Sequence, residues 1–216
     1  MTTSLRTAVA ECPLVAILRR CPPQHALALA LVAIESGIRV VEITLDSDSA
    51  LDQIAAVAQA VGPEIVVAAG TVRSLEQVGQ AARAGATVVV APVLDEAVAA
   101  AATTAGVESV MGGFTPTELV RASQIGSSLV KLFPAGTLGA SYLRGLRGPL
   151  PDLEILVTGA VPLAEIPEYL RAGARAIGLG SEVFTPAVLA SGDTRSVALT
   201  LREVLGQFRA RAGTTR

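Results

Sequence analysis

Tryptophan is absent from this 216-residue chain, histidine occurs once, cysteine twice, and only one of the 17 basic residues is a lysine. Aromatic residues make up 3% and charged residues 17%. With so few aromatics there is no stacking platform for a single nucleic-acid strand, and a net charge of −2 gives no basic footprint for a polyanion. No apolar run reaches the roughly 18 residues that mark a membrane-spanning helix. The N-terminal stretch MTTSLRTAVAECP lacks the basic region and apolar core of a signal peptide, so a soluble cytoplasmic protein is expected. Cys12 and Cys21 flank an apparent strand, and an extended chain rising about 3.3 Å per residue holds them too far apart for a disulfide. They form no CxxC pair, and no acidic cluster stands at ligand spacing beside the lone His25, so no metal site is expected. His25 reads as a surface or packing residue.

What the chain does have is a core: 51% of it is hydrophobic, almost all Ala, Val, Leu and Ile. Short Val- and Ile-rich runs alternate with Ala/Leu/Glu/Arg segments and no linker interrupts them. The runs are LVAILR (14–19), VVEITL (40–45), IVVAAGTV (65–72), TVVVAPV (87–93), ESVMGG (108–113), SLVKLFPA (128–135), EILVTGAV (154–161) and AIGLGSEV (176–183). Helix starts are visible between them, with Ser74 to Gln77 and Thr115 to Glu118 as capping boxes, the second with Pro116 at the first helical position. Leu51, Ile54, Ala55, Ala58 and Val61 fall on one helical face. Gly37, Gly85 and Gly173 stop helices just before the next run. Eight strand–helix units after a short N-terminal helix predict a single-domain (β/α)8 barrel over residues 1–216, of the α/β class. An open doubly wound sheet would be unusually wide for this length.

Such a barrel keeps its chemistry at the carboxyl ends of the strands. Alternation places Leu129, Lys131 and Phe133 on one strand face, and Val40, Glu42 and Thr44 on one face of another. The opposite faces are wholly apolar and suit the helices, so Lys131 and Glu42 are expected inside the barrel. Apolar surroundings disfavour a charged amine and expose a neutral nucleophile. Arginine, always protonated, cannot do this. A neutral lysine adds to a ketone to give a Schiff base, and a glutamate within reach can move the proton. The plainer possibility is that the two form a buried ion pair with a structural role.

The strand-end loops add ligand groups. Gly70 and Thr71 follow the third strand, Thr158 and Gly159 the seventh, and Gly180 and Ser181 the eighth; the last two strands of a barrel commonly bind phosphate through backbone N–H groups. GLGS lacks the third glycine of a dinucleotide fingerprint, and no P-loop occurs. A small phosphorylated or carboxylated ligand is therefore favoured over a nucleotide. Arg19, ending the first run, could grip a carboxylate through paired hydrogen bonds.

In order and spacing, LVAILR, VVEITL, AAGTV, APVLDE, TPTEL, VKLFPA, LRGPLP, VTGAV and GLGS make the chain similar to 2-keto-3-deoxy-6-phosphogluconate (KDPG) and 4-hydroxy-2-oxoglutarate (KHG) aldolases, the class I pyruvate-forming aldolases. The resemblance spans nearly the whole chain. It implies a homotrimeric barrel in sugar-acid catabolism (the Entner–Doudoroff route) that needs neither metal nor organic cofactor. By this resemblance Lys131 forms the Schiff base and Glu42 is the general acid/base. Arg19, Thr71 and Pro92 would line the pyruvyl end, and Phe133 would pack against the imine. Thr158, Gly159, Gly180 and Ser181 would surround the phosphate end. The implied reaction cleaves 2-dehydro-3-deoxy-6-phosphogluconate to pyruvate and an aldehyde such as glyceraldehyde 3-phosphate. The phosphogalactonate isomer and 4-hydroxy-2-oxoglutarate are alternatives, and outside the class stand a sugar-phosphate isomerase or epimerase and a non-catalytic ligand-binding barrel. Three positions depart from the family pattern: Asp46 stands where some members carry an arginine, VTGA replaces the usual PTGG, and MGG (111–113) replaces a common Pro-Gly.

Overall fold

Val, Ile and Ala alternate inward and outward along eight short segments, and each becomes a strand. The computed structural model, which describes residues 2–212, contains β1 (Leu14–Leu18), β2 (Val40–Thr44), β3 (Val66–Gly70), β4 (Val88–Val90), β5 (Glu108–Gly113), β6 (Leu129–Leu132), β7 (Ile155–Val157) and β8 (Ala176–Leu179). All pair parallel in chain order, and β8 closes on β1 through Ile177 opposite Leu14 and Leu179 opposite Ala16. That closure rules out the open sheet. The chain is a single-domain (β/α)8 barrel.

The helices are α1 (Leu5–Glu11), α2 (Pro23–Glu35), α3 (Ala50–Ala60), α4 (Leu75–Arg83), α5 (Glu96–Thr104), α6 (Pro116–Gln124), α7 (Gly139–Arg147), α8 (Ile166–Arg171), α9 (Pro186–Ser191) and α10 (Thr194–Ala212). Among the described residues none is long and apolar enough to cross a membrane. Strand alternation yields two cores. Ala16, Leu18, Val41, Ile43, Val130 and Leu132 face outward into the layer shared with the helices. Val15, Ile17, Val40, Val66, Val88, Val110, Leu129 and Leu156 fill the barrel, together with Leu5, Ala8 and Val9 of α1. Burying each such side chain contributes about 1.5–3 kcal/mol. The N-terminal helix therefore caps the amino end of the barrel, where the Leu5 N–H donates to Glu108 Oε1 at 2.8 Å. Both cysteines are buried thiols, and burial pushes Cys21 up to about 11.

Helix punctuation follows the sequence with two adjustments. Thr115 and Glu118 complete a reciprocal capping box. Ser74 accepts from the Gln77 N–H, but the Gln77 side chain reaches back to the N–H of Arg73 instead, one residue earlier than a capping box requires. In α3 the buried face is Ala50, Gln53, Ile54 and Val57, while Leu51, Ala55, Ala58 and Val61 are half-buried. This rotation away from the predicted stripe has a polar cause: the Gln53 amide donates to Cys21 O at 2.9 Å and Asp48 O at 2.8 Å, tying the helix to the loop before it. Gly37, Gly85 and Gly173 adopt φ of 115°, 98° and 100° at helix ends, which side chains resist.

The strands stop earlier than their apolar runs. Thr71 turns the chain after β3 at φ 58°, Gly159 and Ala160 turn it after β7 at φ 93° and 53°, and Phe133–Ala135 leaves β6 for a 3-10 turn at Ala135–Thr137. These departures all lie at the carboxyl end of the barrel, opposite α1.

Candidate active site

Strands β2 and β6 each send one ionisable side chain into the barrel just below this open end. Glu42 is 1% exposed and Lys131 is 7% exposed. Glu42 lies in register with Ile17 and Ala68, and Lys131 with Gly112 and Leu156, so both have apolar or side-chain-free neighbours across the ladder. The ammonium of Lys131 lies 5.2 Å from the centroid of the Phe133 ring, a cation–π distance that holds the amine without a carboxylate.

Glu42 and Lys131 make no N···O contact within 4.0 Å, and Glu42 Oε2 is buried without a hydrogen-bond partner. The structural ion pair that the residue types allowed does not form. Burial raises the Glu42 carboxyl above the ordinary carboxylate range, with Lys131 and Arg19 opposing the rise only in part. A carboxyl raised in this way holds its proton more readily than an exposed glutamate, which suits a group that must both take and return one. Its position depends on Gly70: a Cβ there would collide with Glu42 Oε1 and lie 2.7 Å from Cδ. Thr71 follows at φ 58°, where a β-branched residue costs about 1–3 kcal/mol, so the turn beside Glu42 is strained.

A cavity of about 810 Å³ opens above the pair, within the range of small-molecule sites. The structure gathers every sequence-predicted site residue around it: Arg19, Glu42, Thr71, Pro92, Lys131, Phe133, Thr158, Gly159, Gly180 and Ser181. They come from seven of the eight strand ends. The loops after β6 and β7 are joined by the Ala135 N–H donating to Thr158 O at 2.8 Å and the Gly136 N–H to Gly159 O at 2.9 Å. Gly159 packs under Phe133, whose ring a Cβ would approach to 2.8 Å. His25 takes no part; it is half-buried, and a Cβ on Gly192 would collide with its ring. Among the described residues no group of three or more His, Cys, Asp or Glu could hold a metal ion.

Arg19, expected to grip a carboxylate of the ligand, already holds one from the chain itself. Its Nη2 lies 3.0 Å from Asp46 Oδ2, and Arg20 Nε lies 3.5 Å from the same oxygen. Burial would raise the Asp46 carboxyl, but a Thr44 hydrogen bond and the two guanidinium charges outweigh it and hold it below its ordinary value. The Arg19 side chain is 54% exposed, so the pair is worth at most about 1 kcal/mol and an incoming carboxylate can compete for it.

Against known sequences, residues 5–199 match the family described as "Aldolase: KDPG and KHG aldolase". The chain belongs to this family. The aldolase is 36% identical over 190 residues to a protein of Rhizobium meliloti (strain 1021) named probable 2-dehydro-3-deoxy-6-phosphogalactonate aldolase, covering 88% of this chain and 89% of that one. It is 31% identical to the KHG/KDPG aldolase of Escherichia coli (strain K12), covering 94% and 95%. A solved structure called "Native KDPGal structure" superposes with a TM-score of 0.88 at 28% identity, covering 99% of this aldolase and all of that chain. The protein is therefore a carbon–carbon lyase on a barrel of the KDPG aldolase type.

Several walls of the aldolase cavity escaped sequence reasoning. Arg20, Arg73, Ala160, Glu182 and Phe184 all line it. Arg73 and Glu182 stand two residues after Thr71 and Gly180, so spacing from those positions could have found them. Ala160, at φ 53°, holds the last position of VTGA, where the usual PTGG has a glycine, so that departure was its signal; nothing in the sequence signals Phe184 from beyond the β8 turn.

Proposed function

We propose that the aldolase cleaves a phosphorylated 2-keto-3-deoxyhexonate of the galactonate series to pyruvate and glyceraldehyde 3-phosphate, through a Schiff base on Lys131. The galactonate series is preferred over the gluconate-series substrate implied by the resemblance because a relative named for the phosphogalactonate is 36% identical, against 31–34% for relatives named for KDPG. One observation carries the lysine chemistry. The only lysine of the chain lies inside the barrel, at the base of the cavity, with no carboxylate paired to it and a protonatable Glu42 lining the same space.

Lys131 Nζ adds to the C2 ketone, and the carbinolamine loses water to give an iminium. Glu42 takes the C4 hydroxyl proton through a water as the C3–C4 bond breaks. The bonding pair moves into the iminium, leaving an enamine, and the aldehyde departs. Protonation of the enamine at C3 by Glu42, followed by hydrolysis, returns pyruvate and free Lys131. Phe133 packs beside the imine, and Arg19, Thr71 and Pro92 surround the carboxylate end. Thr158, Gly159, Gly180 and Ser181 surround the phosphate end, where backbone N–H groups suit an anion. The chemistry asks nothing of a cofactor.

The proposed assembly is a homotrimer. Leu75 at the start of α4, and Val93 and Phe114 in the loops after β4 and β5, are 59%, 56% and 39% exposed, and exposed apolar side chains of this size favour association. Light scattering at working concentration reads the mass directly.

Incubation with pyruvate and borohydride, followed by peptide mass spectrometry, tests the lysine. A reduced adduct on the peptide containing Lys131 is expected. Binding of pyruvate with no adduct would falsify the Schiff-base reading. A substrate panel of gluconate- and galactonate-series acids, with and without the 6-phosphate, tests the rest.

A further inference from the structure

The loop after β8 turns its own carboxylate onto the donors that a ligand's far end would use. The Gly180 N–H donates to Glu182 Oε2 at 3.1 Å, and the Ser181 hydroxyl donates to Glu182 Oε1 at 3.3 Å. Glu182 is half-buried and lines the cavity. The cations of the cavity are carried by other strands and loops. Arg19 and Arg20 follow β1 and converge on Asp46, Arg73 follows β3, and Lys131 is on β6. The cavity residues contributed after β7 and β8 include no basic side chain. A phosphate arriving at Gly180 and Ser181 therefore meets a carboxylate already in place on the donors it would use.

We propose that Glu182 is a specificity-determining residue: it fills the far-end anion position of the free enzyme and sets how strongly phosphorylated substrates are preferred over unphosphorylated ones. This rests on the reading that the substrate's far end lies against β7 and β8. A phosphate binds only by displacing the carboxylate, at the cost of two hydrogen bonds to an ionised acceptor. A neutral hydroxyl end can leave the carboxylate where it is and donate to it. Among the described residues no Arg or Lys lies within 4.0 Å of Glu182 to anchor it, and its two hydrogen bonds are both within its own loop.

Glu182→Gln removes the charge and keeps the shape, and Glu182→Ala removes both. In each, inorganic phosphate titrated against the enzyme is expected to bind at least about tenfold tighter, the scale of losing one like charge at close range. The ratio of kcat/KM for the phosphorylated over the unphosphorylated 2-keto-3-deoxyhexonate is expected to rise by a similar factor. Unchanged or weaker phosphate binding in both variants overturns the proposal. Pyruvate trapping on Lys131, run beside the titration, keeps the two readings apart. An adduct with unchanged phosphate binding sinks the Glu182 assignment alone. An absent adduct sinks the Schiff-base reading, while the phosphate titration, which needs no turnover, still decides the role of Glu182.

Discussion

The two halves of the cavity are built on different principles. Around Lys131 and Glu42 the reacting groups sit on strands, are nearly inaccessible to solvent, and make no ion pair with each other. Around Gly159 and Gly180 the groups sit on loops, backbone N–H donors replace side chains, and positive φ recurs at Gly159 and Ala160. Strand residues cannot move without disturbing the ladder on both sides, whereas loop residues exchange at little cost to the fold. Proton transfer needs the first kind of support because protonation follows burial. Recognition of the far end tolerates the second kind, and it is there that VTGA replaces the usual PTGG and that Glu182 sits on the donors of its own loop.

The contrast can be broken most severely on the strand side. Lys131→Arg keeps the charge but cannot form an imine, and turnover is expected to fall by about 10⁴-fold or more, read by pyruvate release. Glu42→Gln should lower kcat by about 10²–10⁴-fold, because general acid–base transfer is lost while the shape remains.

The same substitution should stabilise the protein. A carboxyl raised by burial is protonated more readily when folded than when unfolded, so the folded state binds more protons above the unfolded value of 4.5. The stability it contributes is complete below that value and is lost as pH rises through the folded one. Melting curves should accordingly place Glu42→Gln above the parent at pH 7–8, with the gap closing in acid. An equal melting temperature at both ends would contradict the burial of a strained carboxylate.

Gly70→Ala should cost about 10²-fold in kcat with KM little changed, since the added methyl displaces Glu42 rather than the substrate. Asp46→Asn lies at the small end. Releasing an exposed ion pair from Arg19 should lower KM for the keto acid by no more than about fivefold, with kcat held.

Legibility followed the same division. Parity along VVEITL and LVKLF was enough to turn Glu42 and Lys131 inward, because strand side chains alternate whatever surrounds them. The strand ends were harder. Apolar residues such as Ala135 and Val161 continue past β6 and β7, and only the backbone angles show where the ladder stops. The α3 stripe held Ile54, Ala58 and Val61 against the core but missed Gln53, which is polar by type yet buried through hydrogen bonds to Cys21 and Asp48 that no periodicity reveals. Arg19 was read as a grip for a substrate carboxylate, and its partner within the chain, Asp46, comes from the next strand's loop, where no local pattern pairs them.

From the sequence alone come the eight-unit barrel, the sole lysine on an inward face and the strand-end glycines, each set by local pattern and by the period of a strand. Only the tertiary structure decides that Lys131 and Glu42 share a cavity without pairing, that burial raises the Glu42 carboxyl, and that Asp46 holds Arg19. It also decides that Glu182 occupies the donors of its own loop. These are properties of distance and dielectric, which exist only once strands far apart in the chain have closed into a barrel.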